Sequence, residues 1–253
     1  MIHVKSAEEL TKMRHSGRIV AEVLQKMREL VAPGVTTEEL NAAAEEIILG
    51  HGAIPSFKGY PPGGRNPFPA SICASVNEEL VHGIPGPRTL KEGEIISIDV
   101  GAIHDGYHGD AAVTLPVGKI SAEVQDLLKV TEEALSAGIA QACAGNRTGD
   151  VSAAIQTHVE QHGYSVVREY TGHGIGRQMH EEPQIPNYGE PGRGTLLRRG
   201  MTMALEPMVL VGDHRVRVLD DHWTVVSAQG RLTAHFEHTI AVQDGEAEIL
   251  TRL

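Results

Sequence analysis

The chain has 253 residues, 41% hydrophobic and 22% charged, a balance that excludes global disorder and suits one domain or two tight halves. A formal net charge of -11, with no basic run longer than Arg198-Arg199, argues against stable nucleic-acid binding or attachment to an anionic membrane. Nowhere do 18 apolar residues run together, the start lacks a signal-peptide core, and Cys73 and Cys143 alone make no disulfide framework, so a cytoplasmic location is expected.

Ser6 with Glu9 forms a capping box, and Leu10, Met13, Gly17, Val20, Leu24, Met27 and Val31 follow at spacings of three and four. This predicts an amphipathic helix of about 25 residues that ends at Pro33-Gly34. Thr36 with Glu39 caps a second helix running to Gly50. Residues 54–70 are turn-rich and aromatic, a loop long enough to be functional, and 70–76 reads as a strand.

Residues 95–103 and 108–115 read as the arms of a buried hairpin closed by Asp105-Gly106. With that turn, Asp110 faces Gly101 and Asp99 faces Ala112, so Asp99 and Asp110 are diagonal neighbours on one face. A slip of one residue would send them to opposite faces. Two carboxylates this close on apolar strands repel and lose hydration unless a cation sits between them.

Helices are expected from Ser121 through Ile139 and from about Asp150 to His162. Residues 32–52 laid over 143–163, an offset of 111 (145 − 34), match Gly34 with Gly145, Thr37 with Thr148, Ala42-Ala43 with Ala153-Ala154, and His51-Gly52 with His162-Gly163. Both halves then run helix, helix, strands, which reads as a duplication. Strands are expected at 202–211, 215–220, 223–227 and 234–242, placing Glu206 and Glu237 on apolar strands as Asp99 is.

A lone buried acid is ordinarily a hydrogen-bonded structural carboxylate. Four of them, Asp99, Asp110, Glu206 and Glu237, in strands that offer histidine as the only basic partner, favour a metal instead. Gly172-His173-Gly174-Ile175-Gly176 reads as a loop presenting an accessible imidazole, and as a nucleotide loop its glycine spacing fails. Four carboxylates and one imidazole suit a pair of divalent ions such as manganese or iron, with cobalt or zinc acceptable. Such a pair could polarise a carbonyl and generate hydroxide near neutral pH. Fourteen histidines fit metal or proton chemistry. His82 and His180 each lie in a Gly/Pro-rich turn suited to a cleft rim, while Cys73 and Cys143 read as packing residues, Cys73 close to the aromatic loop. The motifs H-E-x-x-H, C-x-x-C, G-x-S-x-G and the P-loop are absent.

N-E-x-x-x-H-G-I-P at 77–85, I-D-V with H-G-D completing eleven residues on, G-H-G-I-G-R followed by H-E-E-P, L-E-P-M, and F-E-H-T-I closely resemble the bacterial type I methionine aminopeptidases, in order and over essentially the whole chain. The resemblance implies a single α/β (α+β) pita-bread domain over 1–253. Its pseudo-symmetric halves, about 1–120 and 121–253, would place antiparallel strands around a central dinuclear metal site, with helices outside. It implies removal of the initiator methionine from nascent proteins whose second residue is small, by metal-activated hydroxide attack on the first peptide bond.

By that resemblance Asp99 chelates one metal, Asp110 and Glu237 bridge both, and His173 with Glu206 completes the other, Glu206 also shuttling the proton. His82 would hydrogen-bond near the scissile amide and His180 would contact its carbonyl oxygen. Tyr60, Phe68, Cys73, Met179 and Trp223 would line the methionine pocket. The seven residues between Tyr60 and Phe68 exceed the family's usual link, and Gly101 stands where threonine is common. The ions would be cobalt, manganese, iron, zinc or nickel, with a monovalent cation at Asn77 and Thr233. A monomer of the short bacterial form, acting on nascent N-termini with transient ribosome contact, completes the expectation. An Xaa-Pro aminopeptidase and a non-catalytic binding protein of the same fold are the rivals. The first usually carries an extra N-terminal domain, and the second has typically lost metal ligands that this chain keeps.

Overall fold

A computed structural model describes residues 2–253. Helix α1 (Ala7–Leu30) begins where expected, the Ser6 hydroxyl accepting the Glu9 N–H and the Glu9 carboxylate accepting the Ser6 N–H. The same reciprocal cap, Thr36 with Glu39, starts α2 (Thr37–Gly50). Helices α3 (Ala122–Gln141) and α4 (Thr148–Gln161) follow, and α2 and α4 start and stop 111 residues apart (148 − 37 and 161 − 50). None of the described helices is long and apolar enough to cross a membrane.

Antiparallel strands form four sheets. The hairpin pairs Ile95–His104 with Tyr107–Pro116, Asp99 opposite Ala112 and Gly101 opposite Asp110, as the turn predicts. Asp105 and Gly106 both take the left-handed backbone a two-residue turn requires, with φ of 49° and 76°. Ile54–Pro55 and Ile72–Val76 complete this sheet along the other edge of Ile95–His104.

The second set of strands departs from the sequence reading. The 202–211 segment is two strands, Thr202–Leu205 and Met208–Leu210, and 234–242 is also two, Thr233–His235 and His238–Ala241. Thr202–Leu205 and His238–Ala241 lie in a five-stranded sheet, while Met208–Leu210 and Thr233–His235 lie in a three-stranded one. The chain therefore changes sheets at Glu206-Pro207 and again at Phe236-Glu237. Pro207 has no N–H to continue a ladder, which ends the first strand there. Each half-strand is almost wholly buried in its own sheet, so no exposed turn marks either break. Gly172, His173 and Gly174 of the expected Gly-rich loop instead lie in the strand Thr171–Gly174, paired on both sides. The 215–220 and 223–227 strands shorten to Val216–Val218 and Val225–Ser227, and α4 starts two residues earlier than expected.

One seam joins the hairpin to the C-terminal strands. Glu237 N–H donates to the Ala112 carbonyl at 2.9 Å, His235 N–H to the Thr114 hydroxyl at 2.8 Å, and Asp110 N–H to the Thr239 hydroxyl at 3.0 Å. The Thr114 and Thr239 hydroxyls donate back to the His235 and Asp110 carbonyls. Side-chain hydroxyls thus replace ladder bonds where the strands diverge, and they leave Asp110 and Glu237 side by side.

Helix α1 packs on this hairpin, burying Val20, Val23, Leu24 and Met27 in the main core. Gly17 faces the C-terminal segment so closely that a β-carbon there would overlap the Leu250 carbonyl oxygen. Gly50, at the end of α2, has open space around it. We expect Gly17→Ala to destabilise by about 1–3 kcal/mol through overpacking. Gly50→Ala, by contrast, should be neutral or stabilise by up to about 1 kcal/mol. Urea unfolding of the two variants measures both signs.

Candidate metal centre and its cavity

The residues singled out in the sequence line one cavity of about 170 Å³. Asp99, Asp110, His173, Glu206 and Glu237 form its polar wall. Asp99 and Asp110 come from the hairpin, His173 from Thr171–Gly174, and the two glutamates from the sheet-switch points. The His173 Nε2 lies 3.5 Å from Glu206 Oε1 and 3.9 Å from Asp110 Oδ2. One donor atom each from Asp110, His173 and Glu237 falls within 4.8 Å of the other two.

No lysine or arginine lines this cavity among the described residues. Burial pushes Asp99 up to about 7, and it lifts Asp110, Glu206 and Glu237 well above the usual carboxylate range, each further raised by its acidic neighbours. Asp99 Oδ1, Asp110 Oδ1 and Glu237 Oε1 are buried without a hydrogen-bond partner. His173 Nδ1 lies 2.9 Å from the Gly174 carbonyl oxygen, to which it can only donate, leaving the Nε2 lone pair toward the acids. Orphaned carboxylate oxygens and a neutral, oriented imidazole are the donor set of a divalent cation. The residues present therefore fit a metal.

His235 was not foreseen. Its Nε2 is buried and unpartnered, 3.7 Å from Glu237 and 3.9 Å from Glu206. Burial holds it at about 3, so it is neutral near pH 7. The available signal was its place two residues before Glu237 in a segment that reads in the sequence as one strand, where alternation would put both on one side.

The opposite wall is apolar. Phe57, Phe68, Ala70, Cys73 and Met179 cluster there, with Tyr60, Ile84 and Trp223 against them. All five expected pocket residues thus meet the cavity. The long 61–67 link does not displace them, because Gly59 N–H to the Phe68 carbonyl and Phe68 N–H to the Tyr60 carbonyl pinch it at its base, at 2.8 and 2.7 Å. Phe57 was missed as a lining residue. It also explains Gly101, where a β-carbon would come within 2.8 Å of the Phe57 ring and 2.7 Å of Ser56 Cβ.

His82 and His180 stand at the junction of the two walls. His82 has a left-handed backbone, φ 60°, and its ring meets Tyr170 and Trp223 edge-on. Burial lowers it to about 4. His180 is exposed, its Nδ1 2.7 Å from the Tyr60 hydroxyl and its ring centroid 4.3 Å from that of His173. Away from the cavity, the Thr233 hydroxyl donates to the Asn77 and Glu79 carbonyls at 3.1 and 3.0 Å.

Residues 11–244 match the model of metallopeptidase family M24. Methionine aminopeptidase 1 of Bacillus subtilis is 54% identical over 253 residues, all of both chains. The chain belongs to the bacterial methionine aminopeptidases. The crystal structure of the Thermotoga maritima methionine aminopeptidase superposes with a TM-score of 0.96 at 47% identity, covering both chains completely. That from Rickettsia prowazekii gives 0.95 at 41%, over 99% of this chain and 100% of its own. A Pyrococcus furiosus prolidase, 21% identical, shares the fold with a TM-score of 0.79, this chain spanning 65% of it. The aminopeptidase thus has the pita-bread fold expected for it, and its family membership and donor cluster together support use of a divalent metal.

The charge arrangement has a consequence for the metal-free aminopeptidase. An aspartate ordinarily ionises at 3.8, and burial raises Asp99 to about 7 in the folded state. Its protonated form favours folding below the first value, and that contribution is lost as pH rises through the second. We expect Asp99→Asn to raise the melting temperature of metal-free protein by several degrees at about pH 8. The gain should shrink as pH falls and vanish below about 4, as scanning calorimetry across that range measures.

Proposed function

We propose that this chain removes N-terminal methionine from polypeptides whose second residue is small. The convergence of five donor residues from separate elements on one cavity, beside an apolar pocket, carries this reading. In it, residues 1–253 act as one catalytic domain of two related halves. Asp99, Asp110, His173, Glu206 and Glu237 would hold two divalent ions, with Asp110 and Glu237 shared between them. Manganese or iron suits these donors, with cobalt, zinc or nickel accepted. When bound, the ions polarise the substrate carbonyl and lower the pKa of water.

The chain's own groups do the rest. The apolar wall of Tyr60, Phe68, Cys73, Met179 and Trp223 takes the methionine side chain, and Phe57 closes it from below. Glu206 accepts a proton from the attacking water and returns it to the leaving amine, its carboxylate standing on the cavity wall 3.5 Å from His173 Nε2. With the Tyr60 hydroxyl donating to His180 Nδ1, the His180 Nε2–H is free to donate to the carbonyl oxygen as charge develops there. His82, neutral near pH 7, donates toward the scissile amide. A monovalent cation would sit beside Asn77 and Thr233, where the Asn77 and Glu79 carbonyls come together. The substrates would be new chains in the cytoplasm, met by a monomer through transient contact at the ribosome.

Chelated enzyme should be inactive on a Met-Ala-Ser peptide, and manganese or cobalt should restore it, with Ala-Pro peptides untouched throughout. Asp99→Ala and Glu237→Ala should each lower kcat/KM by at least about a thousandfold, with folding intact by circular dichroism. Full activity in either variant would remove the metal assignment, and Ala-Pro cleavage would favour the prolidase-like alternative.

A further inference from the structure

The segment before α1 carries a buried cation outside the metal cavity. The Lys5 side chain is only 4% exposed, whereas every other lysine or arginine in an ion pair among the described residues is at least a third exposed. Its Nζ donates to Glu181 Oε2 at 2.5 Å, joining residues 176 positions apart in the sequence. The other carboxylate oxygen of Glu181 accepts the Gln178 N–H at 3.2 Å. Burial alone would raise Glu181, but the Lys5 hydrogen bond, backed by the Gln178 and Arg177 N–H groups, brings it below the usual glutamate range. A well-packed apolar pair would serve stability as well as a buried ion pair does, so Lys5 calls for another reason to be there.

Its surroundings supply one. Glu181 begins the strand Glu181–Pro186 and pairs with Gly174, at a register shift next to His173. His180 immediately precedes this strand and lines the cavity, so fixing Glu181 through Lys5 fixes the backbone from which the imidazole projects. Between Gly174 and Glu181 the chain makes a turn whose Arg177 and Gln178 are exposed, with Gly176 N–H to the Gln178 carbonyl at 3.1 Å as an internal tie. The clamp passes directly over this turn. A β-carbon at Gly176 would lie 2.5 Å from Lys5 Cε and 2.7 Å from both Lys5 Nζ and Glu181 Oε1, so glycine there is what admits it. The strap itself is anchored by its backbone, Lys5 N–H donating to the Gly200 carbonyl at 2.8 Å.

We propose that Lys5 is a positioning residue, which through Glu181 holds the 176–181 turn and so keeps the His180 imidazole at the cavity mouth. This rests on the aminopeptidase reading, in which His180 donates to the substrate carbonyl. A donor displaced by about 1 Å can cost on the order of a hundredfold in rate. Lys5→Met, close in shape but uncharged, should therefore lower kcat about ten- to a hundredfold on a Met-Ala-Ser peptide, with KM changing less than about threefold.

Two further measurements separate positioning from general weakening. In metal-free protein, amide exchange should quicken across 176–181 and stay unchanged in α1. In a Glu181→Ala background, Lys5→Met should bring no further loss of kcat, because both residues act through one contact. Glu181→Gln, which keeps the shape, serves as a second route should Lys5→Met fold poorly, and it should quicken exchange in the same turn. An unchanged kcat in Lys5→Met, unchanged exchange in the turn, or losses that multiply in the double variant would each overturn the proposal. If wild-type enzyme itself fails to cleave the peptide, the aminopeptidase reading falls instead, and the exchange data still decide whether the clamp orders the turn.

Discussion

Four carboxylates share one cavity with no lysine or arginine on its walls among the described residues, and the rest of the molecule answers to that constraint. Burial favours the neutral form of all four, and repulsion by acidic neighbours adds to it at Asp110, Glu206 and Glu237, so the folded chain without a cation holds protons it would otherwise release. What keeps the acids together is the backbone around them. Hydroxyls of Thr114 and Thr239 cross-link the hairpin to the C-terminal strands on either side of Asp110 and Glu237. The seam carries rigidity the acids themselves would oppose.

The same arrangement divides the cavity in two. On one side converge the hairpin, the strand Thr171–Gly174 and the two sheet-switch points, which together contribute the donors. On the other, the aromatic link and Met179 build an apolar face. His82 and His180 sit where the faces meet. Neighbouring histidines are kept neutral by burial, His173 and His235 both near 3, so they add lone pairs and hydrogen-bond donors without adding charge.

Likeness to the prolidase is a likeness of fold, at 21% identity. Relatives at 41–54% identity carry the family assignment over the whole chain. Phe57 and Ser56 fill the space beside Gly101, and a pinched seven-residue link lets Tyr60 and Phe68 reach the same wall.

Much of the site was legible because its determinants are local. A two-residue Asp-Gly turn sets hairpin register, and register with period two places Asp99 and Asp110 on one face before any tertiary contact exists. Reciprocal caps at Ser6 and Thr36 likewise mark helix starts, and the 111-residue repeat predicted the order of elements. Tertiary structure decided what depends on distant partners. Pro207 marks one break in the 202–211 strand, but the assignment of the halves of 202–211 and 234–242 to two sheets depends on partner strands far away in sequence. The role of Thr171–Gly174 as a strand came from neighbours on both sides, not from its glycine-rich composition. His235, Phe57 and the Lys5–Glu181 pair became visible only once segments far apart in sequence were packed together, because burial and proximity, unlike spacing, belong to the folded chain.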